Sequence, residues 1–431
     1  MKKRIAIVLL AAFCLTLGAC GVLEKPLPTP SPTAAPTPTP SPTAEPTPEP
    51  TPKPTPVPTP APVQEQRVIV TVDKTALEAM DPQSGETRIL SFSYDTPMIE
   101  MENNPAAAEK INEFIALQSE AFYTGEDYGD GYGTGYNNML TLAEDNYLYQ
   151  METGAEYPNL EMSADRSAAI LRNDGTVLTL LFNDYSYTGG AHGQMASRAY
   201  CFDANSGELL TLDTVSVDPE GFAAFLTSFM LDEIQNDPEL SERVYLEEAE
   251  LEPALAALVR EGSWYFDYDG MVLFSDDYEL SSHAAGPISF LVPYDAAAAY
   301  LYPRYIPEAG TENAAFHVLP AEEMVEGNTE ILDMVKISDT GAALYLVVNG
   351  AAHDVRLTSV QYSDVFYETA QLWSCSVMRD CAVQIQTDIP DGMPNLKISY
   401  RTQDGLKSLY LTMSGEDGSL ILMDGSIRPV G

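Results

Sequence analysis

The chain is 431 residues long and carries 64 acidic against 22 basic side chains, a formal net charge of −42. A chain this acidic has no general field for nucleic acid or anionic lipid; it attracts cationic proteins, cationic peptides or Ca²⁺. Of its 32 prolines, 17 fall within residues 26–62, so the rest of the chain has an ordinary proline content and this stretch stands apart from it.

Lys2, Lys3 and Arg4 precede an apolar run over residues 5–17. Thirteen residues are too few to span a bilayer and suit the h-region of a secretory leader. The run closes on Leu17-Gly18-Ala19-Cys20, small residues before a cysteine, which matches a lipoprotein cleavage site. Residues 1–19 are therefore expected to leave as a signal peptide, and Cys20 to become the lipidated N-terminus. That would take away three basic residues and leave the mature chain more acidic still. No later stretch offers 18 uninterrupted apolar residues, so the expected membrane attachment is this lipid, at the extracytoplasmic face of a bacterial membrane. Residues 20–64 follow as a linker of Pro, Thr, Ser and Ala. Proline fixes φ near the polyproline II value and removes N–H donors, so a disordered, extended tether is expected. At about 3.1 Å per residue, its 37 proline-rich residues reach on the order of 100 Å.

Residues 65–431 suffice for two or three domains. Residues 90–99 read as a strand leading into a turn at Pro97. Asn104-Pro105 opens a helix whose Ile111, Phe114, Ile115, Ala121 and Phe122 form one apolar stripe. Residues 125–138 read as a glycine- and tyrosine-rich loop whose acidic residues do not fit a calcium loop. Hairpins follow over residues 168–182, turning at Asn173-Asp174-Gly175, and over 199–212, turning at Asn205-Ser206-Gly207. Asp218-Pro219 caps a second helix, and residues 248–261 form a third. Residues 271–274 and 288–292 read as strands, and Asp295 opens a short helix. Strands and helices do not alternate regularly, so residues 65–306 read as an α+β module rather than a doubly wound sheet. Residues 307–431 read as a β-rich C-terminal module, a sandwich or small barrel, with strands near 331–338, 342–348, 355–362, 381–389, 396–402, 408–413 and 419–423.

Of five cysteines, Cys14 leaves with the leader and Cys20 is lipidated. Cys375 and Cys381, six apart in an exported chain, form a candidate disulfide, and Cys201 reads as a buried small residue. No Cys/His group has zinc-ligand spacing, and neither a metal nor another cofactor is expected.

The most distinctive stretch is Tyr185-Ser186-Tyr187-Thr188-Gly189-Gly190-Ala191-His192-Gly193. It reads as a strand ending in a turn that needs positive φ or close backbone approach at its glycines. Tyr185 and Tyr187, two apart, share a strand face. A second stretch, Tyr278-Glu279-Leu280-Ser281-Ser282-His283-Ala284-Ala285-Gly286-Pro287, precedes the strand at 288–292. Together with the Asn104-Pro105 helix and its Lys110-Ile111-Asn112, these segments resemble the extracytoplasmic region of RsiV-type anti-sigma factors and the N-terminal non-catalytic region of PdaC-type peptidoglycan deacetylases (the DUF4163 and DUF3298 families). The resemblance covers roughly residues 85–306. It implies an α+β fold and, in the RsiV-like case, binding of lysozyme, a basic wall-degrading enzyme. The segments seen here lack the metal-binding Asp and paired His of the deacetylase domain and any sigma-binding segment.

Candidate ligand-binding residues are Tyr185, Tyr187, Gly189, Gly190, His192 and His283. His192 is expected chiefly to hold its own glycine turn, with ligand contact as the next reading. A triad of Asp184, Ser186 and His192 is conceivable, but no Gly-x-Ser-x-Gly elbow supports a nucleophile, so no catalytic residue is assigned. The aromatic run Trp264-Tyr265-Phe266-Asp267-Tyr268 reads first as a core strand and second as a sugar platform. The leading expectation is a cell-surface lipoprotein carrying a non-catalytic binding module for a cationic protein such as lysozyme or for a wall fragment. A wall hydrolase or esterase using His192, and a structural adaptor of the envelope, are the alternatives.

Overall fold

The computed structural model describes residues 66–126, 135–154, 161–308, 314–324, 329–362, 366–388, 393–414 and 419–424. The expectations for the leader, Cys20 and the proline-rich tether lie outside these residues. The chain enters as a hairpin, β1 (Ile69–Met80) and β2 (Arg88–Glu100), followed by helices α1 (Pro105–Thr124) and α2 (Tyr136–Thr153). Three antiparallel strands come next: β3 (Met162–Asn173), β4 (Val177–Tyr187) and β5 (Gln194–Asp203). A helical stretch holds α3 (Leu212–Val215), α4 (Pro219–Asn236), α5 (Pro238–Arg243) and α6 (Glu248–Glu261). A small sheet of β6 (Trp264–Phe266), β7 (Gly270–Phe274) and β8 (Ser289–Pro293) leads into α7 (Tyr294–Ala297). The remaining strands are β9 (Ala315–Pro320), β10 (Glu330–Lys336), β11 (Ala342–Tyr362), β12 (Phe366–Thr387), β13 (Leu396–Thr402), β14 (Gly405–Met413) and β15 (Leu420–Asp424).

This is an α+β fold with a β-rich C-terminal part. One large sheet has the order β15-β14-β13-β11-β12-β1-β2-β3-β4-β5, with β10 beside β12 and β9 beside β11. The β2/β3 and β10/β12 pairs are parallel. A parallel pair needs a crossover, and α1 and α2 supply it for β2 and β3. α1 lies on the sheet through Ile111, Ile115 and Phe122, all buried. Asn112 fastens it by accepting from the Ile99 N–H at 2.8 Å and donating to the Ile99 carbonyl at 2.9 Å. On the other side of the molecule, α4 and α6 pack Phe222, Leu226, Leu255 and Leu258 against Phe266, Leu273 and Phe290 of the small sheet.

The sheet does not stop at the 306/307 junction expected from the sequence. β1 pairs with β2 along its length and, at Ile69–Thr71, also with Trp373–Cys375 of β12. Buried polar groups tie the same junction. Asn173 Nδ2 donates to the Val68 carbonyl at 3.2 Å and to Ser374 Oγ at 3.0 Å. The Val68 N–H donates to Ser376 Oγ at 2.8 Å. Arg356, paired with the fully buried Asp354 (Nε to Oδ1, 2.9 Å), donates to the Leu171 carbonyl at 2.6 Å.

Several local expectations change. Pro97 continues β2 instead of turning it, because β3 pairs with β2 only at Leu90–Tyr94 and no ladder on that side needs the missing N–H. Residues 136–138, read as loop, begin α2. Residues 208–212 contribute one bridge, Phe202 to Leu209, and then α3, rather than a full strand. Asn104 precedes α1 without capping it through its side chain; its Nδ2 donates to the Asn205 carbonyl at 2.7 Å. Trp264, Phe266 and Tyr268 are buried and Tyr265 is half-buried against the same cluster, so this run belongs to the core.

The candidate disulfide between Cys375 and Cys381 is not formed; both thiols are free and buried, as is Cys201. Both lie in β12, and Val377, Met378 and Arg379 among the five residues between them are paired to β11, so no loop returns the chain to close a bridge. Cys375 instead donates to the Val377 carbonyl at 3.2 Å. Burial pushes the two thiols up, to about 12 for Cys375 and about 11 for Cys381.

Candidate functional site

The two distinctive sequence stretches are adjacent loops. Residues 188–193 join β4 to β5, and residues 275–288 join β7 to β8. Asp276, at the end of β7, fixes their spacing: its Oδ1 accepts the Ser197 N–H of β5 at 2.7 Å. Its own N–H donates to Glu279 Oε2 at 2.7 Å. Burial pushes the Asp276 carboxyl up to about 6, helped by Glu279 and Asp277 and opposed by the Ser197 N–H and Arg198.

The result is a stacked pair of imidazoles. The His192 and His283 ring centroids are 4.0 Å apart with an interplanar angle of 18°. Tyr278 extends the stack, its ring 6.2 Å from His283 and also at 18°. His192 is exposed, His283 half-buried, and Tyr278 is 54 % exposed, so the stack faces solvent. Each imidazole Nδ1 meets an acceptor oxygen, Gly193 O at 2.9 Å for His192 and Asp277 Oδ2 at 2.7 Å for His283. An acceptor at Nδ1 requires the proton there, which leaves Nε2 of each neutral ring as an acceptor for a ligand donor.

Both loops are braced from outside. Gly189 and Gly190 have φ of 97° and 113°, a conformation that disfavours other residues. Tyr187 Oη donates to the Gly190 carbonyl at 3.1 Å. The Tyr185 ring lies against Gly193, where a Cβ would stand 2.4 Å from its Cε2. Opposite, Arg243 at the end of α5 donates to the carbonyls of Ala285 and Pro287 at 3.2 and 2.8 Å. Tyr278 itself has φ of 67°, held by its N–H to the Ser281 carbonyl at 3.0 Å and by the Tyr245 hydroxyl on its own carbonyl.

The structure thus gathers all six candidate residues. His192 and His283 form the surface, while Tyr185, Tyr187, Gly189 and Gly190 shape the loop that carries His192. The conceivable Asp184–Ser186–His192 triad is not assembled: Asp184 is buried and held by Arg166 through bonds of 2.6 and 2.7 Å. Asp276 and Asp277 were not singled out from the sequence; their signal was a pair of carboxylates one residue past the apolar strand β7. Among the described residues no Ser, Thr or Cys side chain bonds either imidazole, and no group of three or more His, Cys, Asp or Glu could hold a metal ion. Among them, too, no helix is long and apolar enough to cross a membrane. What remains is an aromatic, acid-flanked surface with two nitrogen acceptors, suited to a ligand bearing N–H donors or positive charge.

Residues 83–195 match the family described as Deacetylase PdaC, and residues 218–295 match the family described as Protein of unknown function (DUF3298). His192 lies in the first match and His283 in the second, so the stack forms where the two regions meet. The peptidoglycan-N-acetylmuramic acid deacetylase PdaC of Bacillus subtilis (strain 168) is 22 % identical over 172 residues, 36 % of this chain and 34 % of that protein. The chain therefore spans about a third of the length of this curated relative. Among solved structures, a DUF3298 family member from Bacteroides fragilis NCTC 9343 is similar at TM-score 0.39 and 15 % identity, covering 55 % of this chain and 94 % of that one. A DUF3298 family protein from Pseudomonas aeruginosa PAO1 gives TM-score 0.35 and 15 % identity over 56 % and 97 %.

Proposed function

We propose that this chain is a lipid-anchored, extracytoplasmic binding protein of the bacterial envelope. Cys20 carries the lipid, the proline-rich tether lifts the folded part from the membrane, and the His192–His283 surface receives the ligand without catalysis. The ligand class we favour is a cationic protein, a muramidase such as lysozyme being the RsiV-like case, with a wall-derived fragment as the other form. The observation that carries this reading is the stacked pair itself: residues from two separately matched regions build one exposed surface, with Asp276, Asp277 and Glu279 beside it. Similarity to a peptidoglycan deacetylase supports a setting at the cell wall.

The test is a titration of lysozyme into the protein at ionic strengths of about 0.01 M and about 0.15 M, where the screening length drops from ~30 to ~8 Å. Binding should weaken at the higher salt, since charge at the rim is screened. The His192→Ala and His283→Ala variants should each bind at least about tenfold more weakly. No binding at low salt removes the muramidase version; unchanged binding in both variants removes the site.

One observation favours a second reading. The 2.7 Å contact of Asp277 with His283 is the orienter-to-base pair a hydrolase or esterase uses. In that case peptidoglycan fragments would be turned over, and His283→Ala would abolish turnover while leaving the fold intact. Turnover that survives this variant discards an enzymatic role for the pair.

A further inference from the structure

A groove that shares no lining residue with the histidine stack lies between α1, the end of β2 and the start of β10. It encloses about 1050 Å³, above the range of ~300–1,000 Å³ typical of small-molecule sites. Its floor is apolar. Met98 and Ile331 are 45 % and 47 % exposed within it, beside Leu332, with Ile99 and Ala108 buried beneath. Its rim is acidic: Glu100 and Glu102 follow from β2, Glu109 and Glu113 stand on α1, and Glu330 opens β10. The one basic residue lining it, Arg67, is already bridged to Glu330 at 2.8 Å. Glu100, Glu102, Glu109 and Glu113 are exposed and form no ion pair among the described residues. Glu109 and Glu113 are one turn apart, a like-charge spacing that disfavours the helix carrying it. The neighbouring Lys110 is engaged elsewhere, with Glu208.

We infer that this groove binds a basic amphipathic peptide segment: apolar side chains on the Met98–Ile331 floor, lysines or arginines on the glutamate rim. An apolar floor has nothing to offer a hydrated cation, whereas an amphipathic helix presents an apolar stripe flanked by charge. The rim carries an excess of four carboxylates over the one paired arginine and its partner, which is the complementary charge. The groove combines α1, from the PdaC-matched region, with β10, from the C-terminal strands. The C-terminal strands thereby gain a part in binding.

The probe is a labelled Lys/Leu peptide of about 18 residues, five helical turns with leucine on one face, followed by fluorescence anisotropy with the full chain. A scrambled peptide of the same composition is the comparison. The parent peptide should bind at least about tenfold more tightly than the scrambled one. The triple variant Glu102→Gln/Glu109→Gln/Glu113→Gln should lose about tenfold in affinity and much of the salt dependence. Ile331→Ser should weaken binding at high salt as well as low. His192→Ala/His283→Ala should bind the peptide as the unaltered chain does, which separates this groove from the histidine site. Equal binding of parent and scrambled peptide would mean a diffuse acidic field and overturn the inference, as would an unchanged triple variant. A chain lacking residues 26–62 that binds more than tenfold better would name the tether as the occupant and overturn it equally.

Discussion

Replacing Arg356 by Met should destabilise the fold by about 3–5 kcal/mol at neutral pH, the cost of leaving a buried charge without its partner. Asp354 has no exposed surface, and Arg356 meets both of its carboxylate oxygens. Met keeps much of the apolar stem, so the loss measures charge more than volume. Burial pushes the Asp354 carboxyl up, while Arg356 and the Tyr268 hydroxyl pull it down. With Arg356 gone the upward push is less opposed. The folded chain then holds a proton that the unfolded chain releases, so stability rises as pH falls, by up to about 1.4 kcal/mol per unit. Urea unfolding followed by circular dichroism should show the midpoint lowered by on the order of 1 M at pH 7.5 and by clearly less at pH 5. Asp354→Asn added to Arg356→Met should recover most of the loss, because asparagine tolerates the positive φ of 46° at that position and buries no charge. Equal losses at both pH values, with no recovery in the double variant, would show that packing rather than charge sets the effect.

Further outcomes can be checked directly. Asp276→Asn should stabilise the protein at pH 7 and leave it unchanged near pH 4. The raised carboxyl, at about 6, favours the folded state while protonated, and that contribution is lost as pH climbs from about 4 through about 6; a gain of equal size at both pH values would contradict this. Cys201, Cys375 and Cys381 should resist thiol reagents in the native protein and react on unfolding; a native mass short by two hydrogens would establish a bridge after all. Gly190→Ala should cost about 1 kcal/mol through its φ of 113° and weaken ligand binding through His192. A fragment ending at residue 306 should fail to give a cooperative unfolding transition, since β1 would lose its β12 partner; a sharp transition would show that the C-terminal strands are dispensable.

The chemistry of their starts announced α1 and α4 but not α5, which opens on a similar Asp237-Pro238 pair yet runs only from Pro238 to Arg243 and buries no residue. Pro105 and Asp218-Pro219 stand at the first turns of α1 and α4, and the apolar stripe of each is continuous. α2 lacks the first mark, since Gly135 offers no capping side chain, and its buried face of Met139, Ala143, Tyr147 and Gln150 is blurred in the sequence by exposed Leu142, Leu148, Tyr149 and Met151 on its other faces. β1 was missed for a related reason. Beyond Thr71 it has only β2 beside it, so much of its outer half is exposed and its alternation is diluted by Asp73, Lys74 and Glu78. Missing β1 hid the join between the two halves of the chain, because that strand is the join. At the site, both loops were legible from glycine spacing and histidine placement. Their meeting was not, because 90 residues separate His192 from His283 and long-range bonds such as that of Asp276 to β5 bring them face to face.

The position of β1 also bears on mechanical load. Any pull transmitted by the residues before Gln66 enters the sheet at a strand flanked on both sides from its first three residues. Such a strand cannot be peeled from an edge rung by rung; it has to slide against two neighbours together. A load entering there has to break the β2 and β12 ladders together before the sheet opens.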